Sequence, residues 1–151
     1  MNERLILLVE DNSNDEELTM RALKRHSVEA RVVCARDGAE ALDYLLANGD
    51  GAGAAPRDVP SLVLLDLKLP KVDGLEVLRR MREHDRTRLV PVVVLTSSRE
   101  ERDLLESYRL GANAYVVKPV AFDQFLDAVR SLGLFWAVLN EPPPDDARKA
   151  A

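Results

Sequence analysis

Five short runs in this chain are apolar without alternation: LILLV (5–9), ARVVCA (30–35), LVLLD (62–66), VVVLT (92–96) and AYVVK (114–118). A strand with one wet face alternates apolar and polar residues, so runs of this kind read as strands buried on both faces. Between them the apolar residues fall at helical spacing. Leu18, Ala22 and Leu23 mark a first helix, and Ala41, Leu42, Leu45 and Leu46 a second. Leu75, Val77, Leu78 and Met81 mark a third, and Leu104, Leu105 and Tyr108 a fourth. Phe122, Phe125, Leu126, Val129 and Leu132 mark a fifth. Helix starts are signalled by Ser13 before Glu16, Asp37 before Glu40, Asp73 before Glu76 and Ser98 before Glu101, each a capping side chain three residues ahead of a glutamate. Gly111 supplies a stop after the fourth helix.

Strict alternation of strand and helix demands a parallel sheet covered on both faces. The expected fold is α/β: a flavodoxin-like, doubly wound, five-stranded parallel sheet of order 2-1-3-4-5 with five helices. It is expected to occupy 1–140, with 141–151 a proline-rich, disordered tail, since helix cannot continue through Pro142, Pro143 and Pro144. The Gly- and Ala-rich stretch 48–60 joins helix 2 to strand 3, at the end of the sheet away from where α/β sites form, and reads as a surface loop.

A length of 151 residues suits one domain, and 46% hydrophobic with 31% charged residues is the balance of a folded globular chain. A net charge of −5 argues against nucleic acid as a partner. No apolar stretch is long enough to span a membrane, and the run before Glu10 is too short for a signal peptide. With Cys34 the one cysteine, no internal disulfide forms, so a reducing cytoplasmic location is expected, with Cys34 an inert thiol.

The chemistry sits at the strand ends. Strand 1 finishes on Glu10-Asp11 and strand 3 on Asp66, and in the order 2-1-3-4-5 these strands are neighbours. Three carboxylates therefore meet at one crevice, each pair repelling by roughly 3 kcal/mol at about 5 Å and an effective dielectric near 20. A hard divalent cation with oxygen ligands, Mg²⁺ first, is the usual compensation. Strand 4 ends at Thr96 and strand 5 at Lys118, a hydroxyl and an ammonium suited to a tetrahedral anion. Three acids, one lysine and one Mg²⁺ sum to neutrality, so an incoming phosphoryl group meets no net repulsion. An aspartate carboxylate can attack phosphorus to give an acyl phosphate, with metal and lysine stabilising the phosphoryl oxygens.

The segments LLVEDN, LLDLKLPKVDG, VVVLTSS and GANAYVVKPV occur in the order and spacing that resemble the receiver domain of two-component response regulators, of the single-domain, chemotaxis-regulator type. The resemblance covers residues 4 to about 133. It implies that Asp66 accepts a phosphoryl group from a sensor histidine kinase. It implies that Asp11 and Asp66 ligate Mg²⁺, that Glu10 acts through water, and that the Lys68 carbonyl is a further ligand. It also implies that Lys118 pairs with the phosphoryl oxygens, that Thr96 turns its hydroxyl inward, and that Tyr115 follows as an aromatic switch. Pro70 and the Gly74 turn would aim the Lys68 carbonyl, and the Lys118-Pro119 bond would be cis. The protein would catalyse its own phosphorylation and dephosphorylation without being an enzyme in the ordinary sense.

With no output domain expected, the signal would leave by protein contact. Leu134, Phe135, Trp136, Val138 and Leu139 make the end of the fifth helix apolar almost all round, which suggests an interface, or else a return of this segment onto its own core. This extension, the 48–60 loop and NEPPP are similar to small regulators paired with phytochrome-like kinases, so a homodimer is expected. Three other readings make different demands on these residues. A flavin or nucleotide module would need a phosphate loop where VEDNSNDEE stands. A haloacid-dehalogenase-type phosphatase would need a second Asp where Lys68 stands. A degenerate receiver that only binds partners stays open. His26 and His84 lie far from the acids, and LRRMREHDR reads as a solvated helix face.

Overall fold

The computed structural model describes residues 5–25, 31–46, 59–97 and 100–118. The elements run β1 (Leu5–Val9), α1 (Ser13–Arg25), β2 (Arg31–Ala35), α2 (Gly38–Leu46), β3 (Leu62–Leu65), α3 (Gly74–Glu83), β4 (Val92–Thr96), α4 (Glu101–Arg109) and β5 (Ala114–Val117). All pairings are parallel, as the alternation of strands and helices implied, and the sheet order is the expected β2-β1-β3-β4-β5. The fifth helix, the Pro119 bond, the 134–139 extension and most of the 48–60 loop lie outside the described residues.

Every residue of β1, β3 and β4 is buried, which is why these runs do not alternate. One core cluster packs Leu7, Val63, Leu65 and Val94 against Leu42 and Leu45 of α2 and Leu78 and Met81 of α3. The other packs Ile6, Leu8, Leu62 and Leu64 against Leu23 of α1. On the β2 edge Cys34 is half-buried rather than fully buried, and its thiol is pushed up to about 12, by burial first and then by the Glu16 carboxylate, which disfavours the reactive thiolate.

Two helical faces differ from the sequence expectation. In α4, Leu105 and Tyr108 are 60% and 48% exposed, while Asp103 and Ser107 are buried. The inward stripe runs at i,i+4 from Asp103 to Ser107, and it tolerates burial because the Ser107 hydroxyl donates to the Asp103 carbonyl at 2.7 Å. In α1, Leu18 points outward, and Thr19 joins Leu23 in the interior. The helix caps also shift. α1 is capped by Asn12, whose Oδ1 accepts the Asp15 amide at 3.0 Å, rather than by Ser13. Asp37 caps α2 as expected, accepting the Glu40 amide at 2.8 Å. Asp73 stands at the N-cap of α3 without a side-chain cap bond. There the Gly74 amide is satisfied instead by the Leu67 carbonyl at 2.9 Å.

At the amino end of the sheet, Arg82 of α3 joins two loops. Its guanidinium donates to the carbonyls of Val90 (2.7 Å), Arg88 (3.1 Å) and Gly111 (2.8 Å), and to Asn113 Oδ1 (3.3 Å). Burial lowers its pKa, but an arginine stays charged. Replacing it leaves several carbonyls without a donor. Arg82→Met is expected to lower the unfolding free energy by about 2–4 kcal/mol in urea titration, with the slope of the transition unchanged.

Candidate functional site

At the carboxyl edge of the sheet, the register brings β1, β3, β4 and β5 to a common rim. Glu10 and Asp11 follow β1, and Asp66 follows β3, its amide still bonded to the Val9 carbonyl at 3.0 Å. Oxygens of Glu10, Asp11 and Asp66 lie within 4.8 Å of one another. Glu10 and Asp66 are 2% and 7% exposed, and Asp11 faces solvent. An all-oxygen donor set at this spacing fits a hard divalent cation.

Thr96 ends β4 fully buried, and its carbonyl accepts the Lys118 amide at 2.8 Å, so the β4–β5 ladder itself brings hydroxyl and lysine together. The Lys118 ammonium reaches back across the site. It bonds Asp66 Oδ2 at 3.0 Å, Asp15 Oδ2 at 2.9 Å and Glu10 Oε1. Burial opposes the Lys118 charge, but these carboxylates outweigh it and raise its pKa. Asp66 Oδ1 accepts the Lys68 amide at 3.3 Å, so its two oxygens are divided between a backbone donor and the lysine. Tyr115 lies opposite Val94 on the edge strand and packs half-buried on the α2–α3 side of the core.

The loop after Asp66 is held by its backbone. A Cβ on Gly74 would lie 2.2 Å from the Asp66 carbonyl oxygen, so only glycine lets α3 begin this close to the acid. Lys71 adopts φ 67°, and the Val72 amide closes a three-residue turn onto the Pro70 carbonyl at 2.8 Å. Pro70 also accepts the Gly38 amide at 3.3 Å, and Lys71 pairs with Asp37 at 3.4 Å. On the other side, Lys68 Nζ lies 3.7 Å from Asp103 of α4.

Asp15 was missed by the sequence reading. It sits on the first turn of α1, four residues after Asp11, in the run VEDNSNDEE that was read only as unsuited to a phosphate loop. Its presence changes the charge count. Four carboxylates now face one ammonium, so a divalent cation leaves one negative charge rather than neutrality. Of the two histidines, His84 sits at the C-cap of α3, away from this rim, and His26 is outside the described residues. The basic stretch of α3 is a solvated face only in part: Arg79 bonds Glu76 and, at 2.6 Å, Glu83 as expected, but Arg82 turns to backbone carbonyls and Leu78 and Met81 are buried.

A parallel sheet that gathers three acids, a hydroxyl and a lysine at its carboxyl edge defines a phosphoryl-accepting receiver, and the chain belongs to the response regulator receiver domain family, matched over residues 6–130. Receiver domains are the phospho-accepting partners of histidine kinases in two-component signalling. Among curated relatives, the probable methanogenesis regulatory protein FilR2 of Methanothrix harundinacea is 43% identical, covering 92% of this chain and 87% of its own. Response regulator Rcp1 of Synechocystis is 38% identical, covering 88% of each. Among solved structures, the bacteriophytochrome response regulator AtBRR is 58% identical with a TM-score of 0.79, covering 93% of this chain and all of its own. The phosphorylated cyanobacterial phytochrome response regulator RcpA is 41% identical with a TM-score of 0.72, covering 89% and 94%. The Mn²⁺-bound form of Rcp1 is 36% identical with the same TM-score and coverage. No helix among the described residues is long and apolar enough to cross a membrane.

Burial pushes Glu10 up to about 7; the Asp66 carboxylate adds to this and Lys118 opposes it. A folded-state pKa above the unfolded value means that the native state holds the extra proton. The resulting stabilisation is complete below the ordinary glutamate value of 4.5 and is lost as pH rises through about 7. In chelator, the thermal midpoint is expected to fall between those limits, and Glu10→Gln is expected to flatten that dependence relative to the unmodified chain.

Proposed function

We propose that Asp66 is the phosphoryl acceptor, with Thr96 and Lys118 completing the reacting group and Glu10, Asp11, Asp66 and the Lys68 carbonyl holding Mg²⁺. The observation that carries this is the near-buried Asp66 carboxylate, in reach of both the acid triad and the Lys118 ammonium at 3.0 Å. Asp66 attacks phosphorus in line, forming an O–P bond as the bond to the donor's leaving group breaks. The metal, when bound, neutralises charge on the phosphoryl oxygens. Lys118 holds one of those oxygens, and the Thr96 hydroxyl donates to another. The movement of Thr96 leaves space that Tyr115 fills, carrying the signal to the protein surface. In this reading the chain catalyses its own phosphorylation and the later hydrolysis of the acyl phosphate.

The kinase is proposed to be phytochrome-like, because AtBRR and RcpA are named as phytochrome response regulators. A homodimer through Leu134, Phe135, Trp136, Val138 and Leu139 is proposed from the sequence pattern, with no role for nucleic acid or membrane. Domain extent 1–140, a tail at 141–151 and a cytoplasmic location belong to the same reading.

Intact mass after incubation with a small phosphodonor is the test. One phosphoryl group is expected, only with Mg²⁺, mapping to Asp66 and absent from Asp66→Asn. Full labelling of Asp66→Asn overturns the acceptor. Lys118→Ala is expected to keep labelling but to abolish the phosphorylation-dependent change in Tyr115 fluorescence or ring NMR signals.

A further inference from the structure

Lys118 has three N–H bonds and directs them to three carboxylates, those of Glu10, Asp15 and Asp66. Two of these belong to the converging triad. Asp15 does not. It stands on the first turn of α1 with its side chain 35% exposed, and its amide is fixed by the Asn12 cap at 3.0 Å. The helix start therefore sets where this carboxylate stands, and it stands 2.9 Å from the ammonium.

These positions separate the partners of Lys118 by what happens when the site works. A cation at the triad draws on Glu10 and Asp66, and a phosphoryl group occupies an oxygen of Asp66. Both partners are exchangeable, whereas neither event calls on Asp15. We propose that Asp15 is a positioning residue, the standing counter-ion of Lys118, which keeps the ammonium aimed at the Asp66 carboxyl while its other partners are exchanged. The proposal rests on the reading of Asp66 as acceptor. A lysine on a flexible stem gains from such a fixed partner because its orientation need not be re-established at the moment of transfer. Asp15 also repels the incoming anion, but at a third exposed its field is screened by water, while Lys118 acts at contact distance. Positioning therefore outweighs repulsion.

The test is a double-mutant cycle on the full chain with Mg²⁺, using fluoroberyllate as an unreactive phosphoryl analogue and ¹⁹F NMR to measure its affinity. Asp15→Asn is expected to weaken binding about five-fold when Lys118 is present, and to have an effect below about 1.5-fold in the Lys118→Met background. Equal losses in both backgrounds, or no loss or a gain in the first, overturn the proposal, because a helix-start or bulk-charge effect does not depend on Lys118. A second measurement needs neither ligand. The slow-exchanging Lys118 ammonium signal in ¹⁵N NMR is expected to broaden in Asp15→Asn, and its persistence there overturns the proposal. Thermal midpoints of all four proteins identify any variant that unfolds, and Asp15→Ala, for which the same loss is expected, then replaces Asp15→Asn, while the conservative Asp15→Glu is expected to retain most of the affinity. Failure of the unmodified chain to bind fluoroberyllate is a different result: it overturns the acceptor reading and takes the proposal with it.

Discussion

One ammonium surrounded by carboxylates is the interaction on which the rest of the site depends. The parallel sheet makes it unavoidable: strands that all run the same way end on the same rim, so whatever each sequence run finishes on is brought together there. Glu10 and Asp66 are both nearly buried, and two such charges at about 5 Å repel by roughly 3 kcal/mol. Lys118 offsets that repulsion from the far strand, and its reach fixes how closely β5 and α1 must approach the acid pair. The missing Cβ at Gly74 and the left-handed turn at Lys71 are the local backbone features that leave the acceptor room within this arrangement.

The loop that carries Asp66 is tied to two neighbours of different kinds. Toward α2 the attachment is tight and made by backbone: the Gly38 amide meets Pro70, and a Cβ on Gly38 would lie 1.9 Å from the Val72 carbonyl oxygen. Toward α4 an ion pair joins the exposed Lys68 to Asp103. The inward face of α4 is itself polar, with Asp103 and Ser107 buried where α2 and α3 place leucine, valine or methionine. Apolar burial stabilises a helix far more than one partly exposed ion pair. The packing of α4 therefore depends more on polar contacts than that of α2 or α3, whose buried residues are apolar or glycine.

The fold was legible because burial on both faces leaves a strong mark: LILLV, LVLLD and VVVLT admit few other readings, the alternation implies a parallel sheet, and 2-1-3-4-5 is the commonest order for five such strands. The acids, Thr96 and Lys118 were legible because each ends such a run. Asp15 was not, because its role comes from where the first turn of α1 points relative to β5, a relation between residues more than a hundred positions apart. The buried face of α4 was misread because Leu105 and Tyr108 outrank Asp103 and Ser107 in hydrophobicity. A short helix buries whichever stripe its neighbours cover, and Ser107 satisfies its own hydroxyl. The Asn12 cap was missed by one residue, since Asn12 and Ser13 are equally good capping types.

The Arg82 cluster gives the molecule a polarity along its strands. At the amino end of the sheet, the Arg82 charge is met by carbonyl dipoles, which do not titrate and are already engaged by its guanidinium. At the carboxyl end, charge is met by charge. Protons therefore act chiefly at the carboxyl pole, where the titratable groups converge. The scaffold works as a clamp with one jaw fixed: solution chemistry can reset the rim repeatedly without loosening the grip that keeps the strands in register.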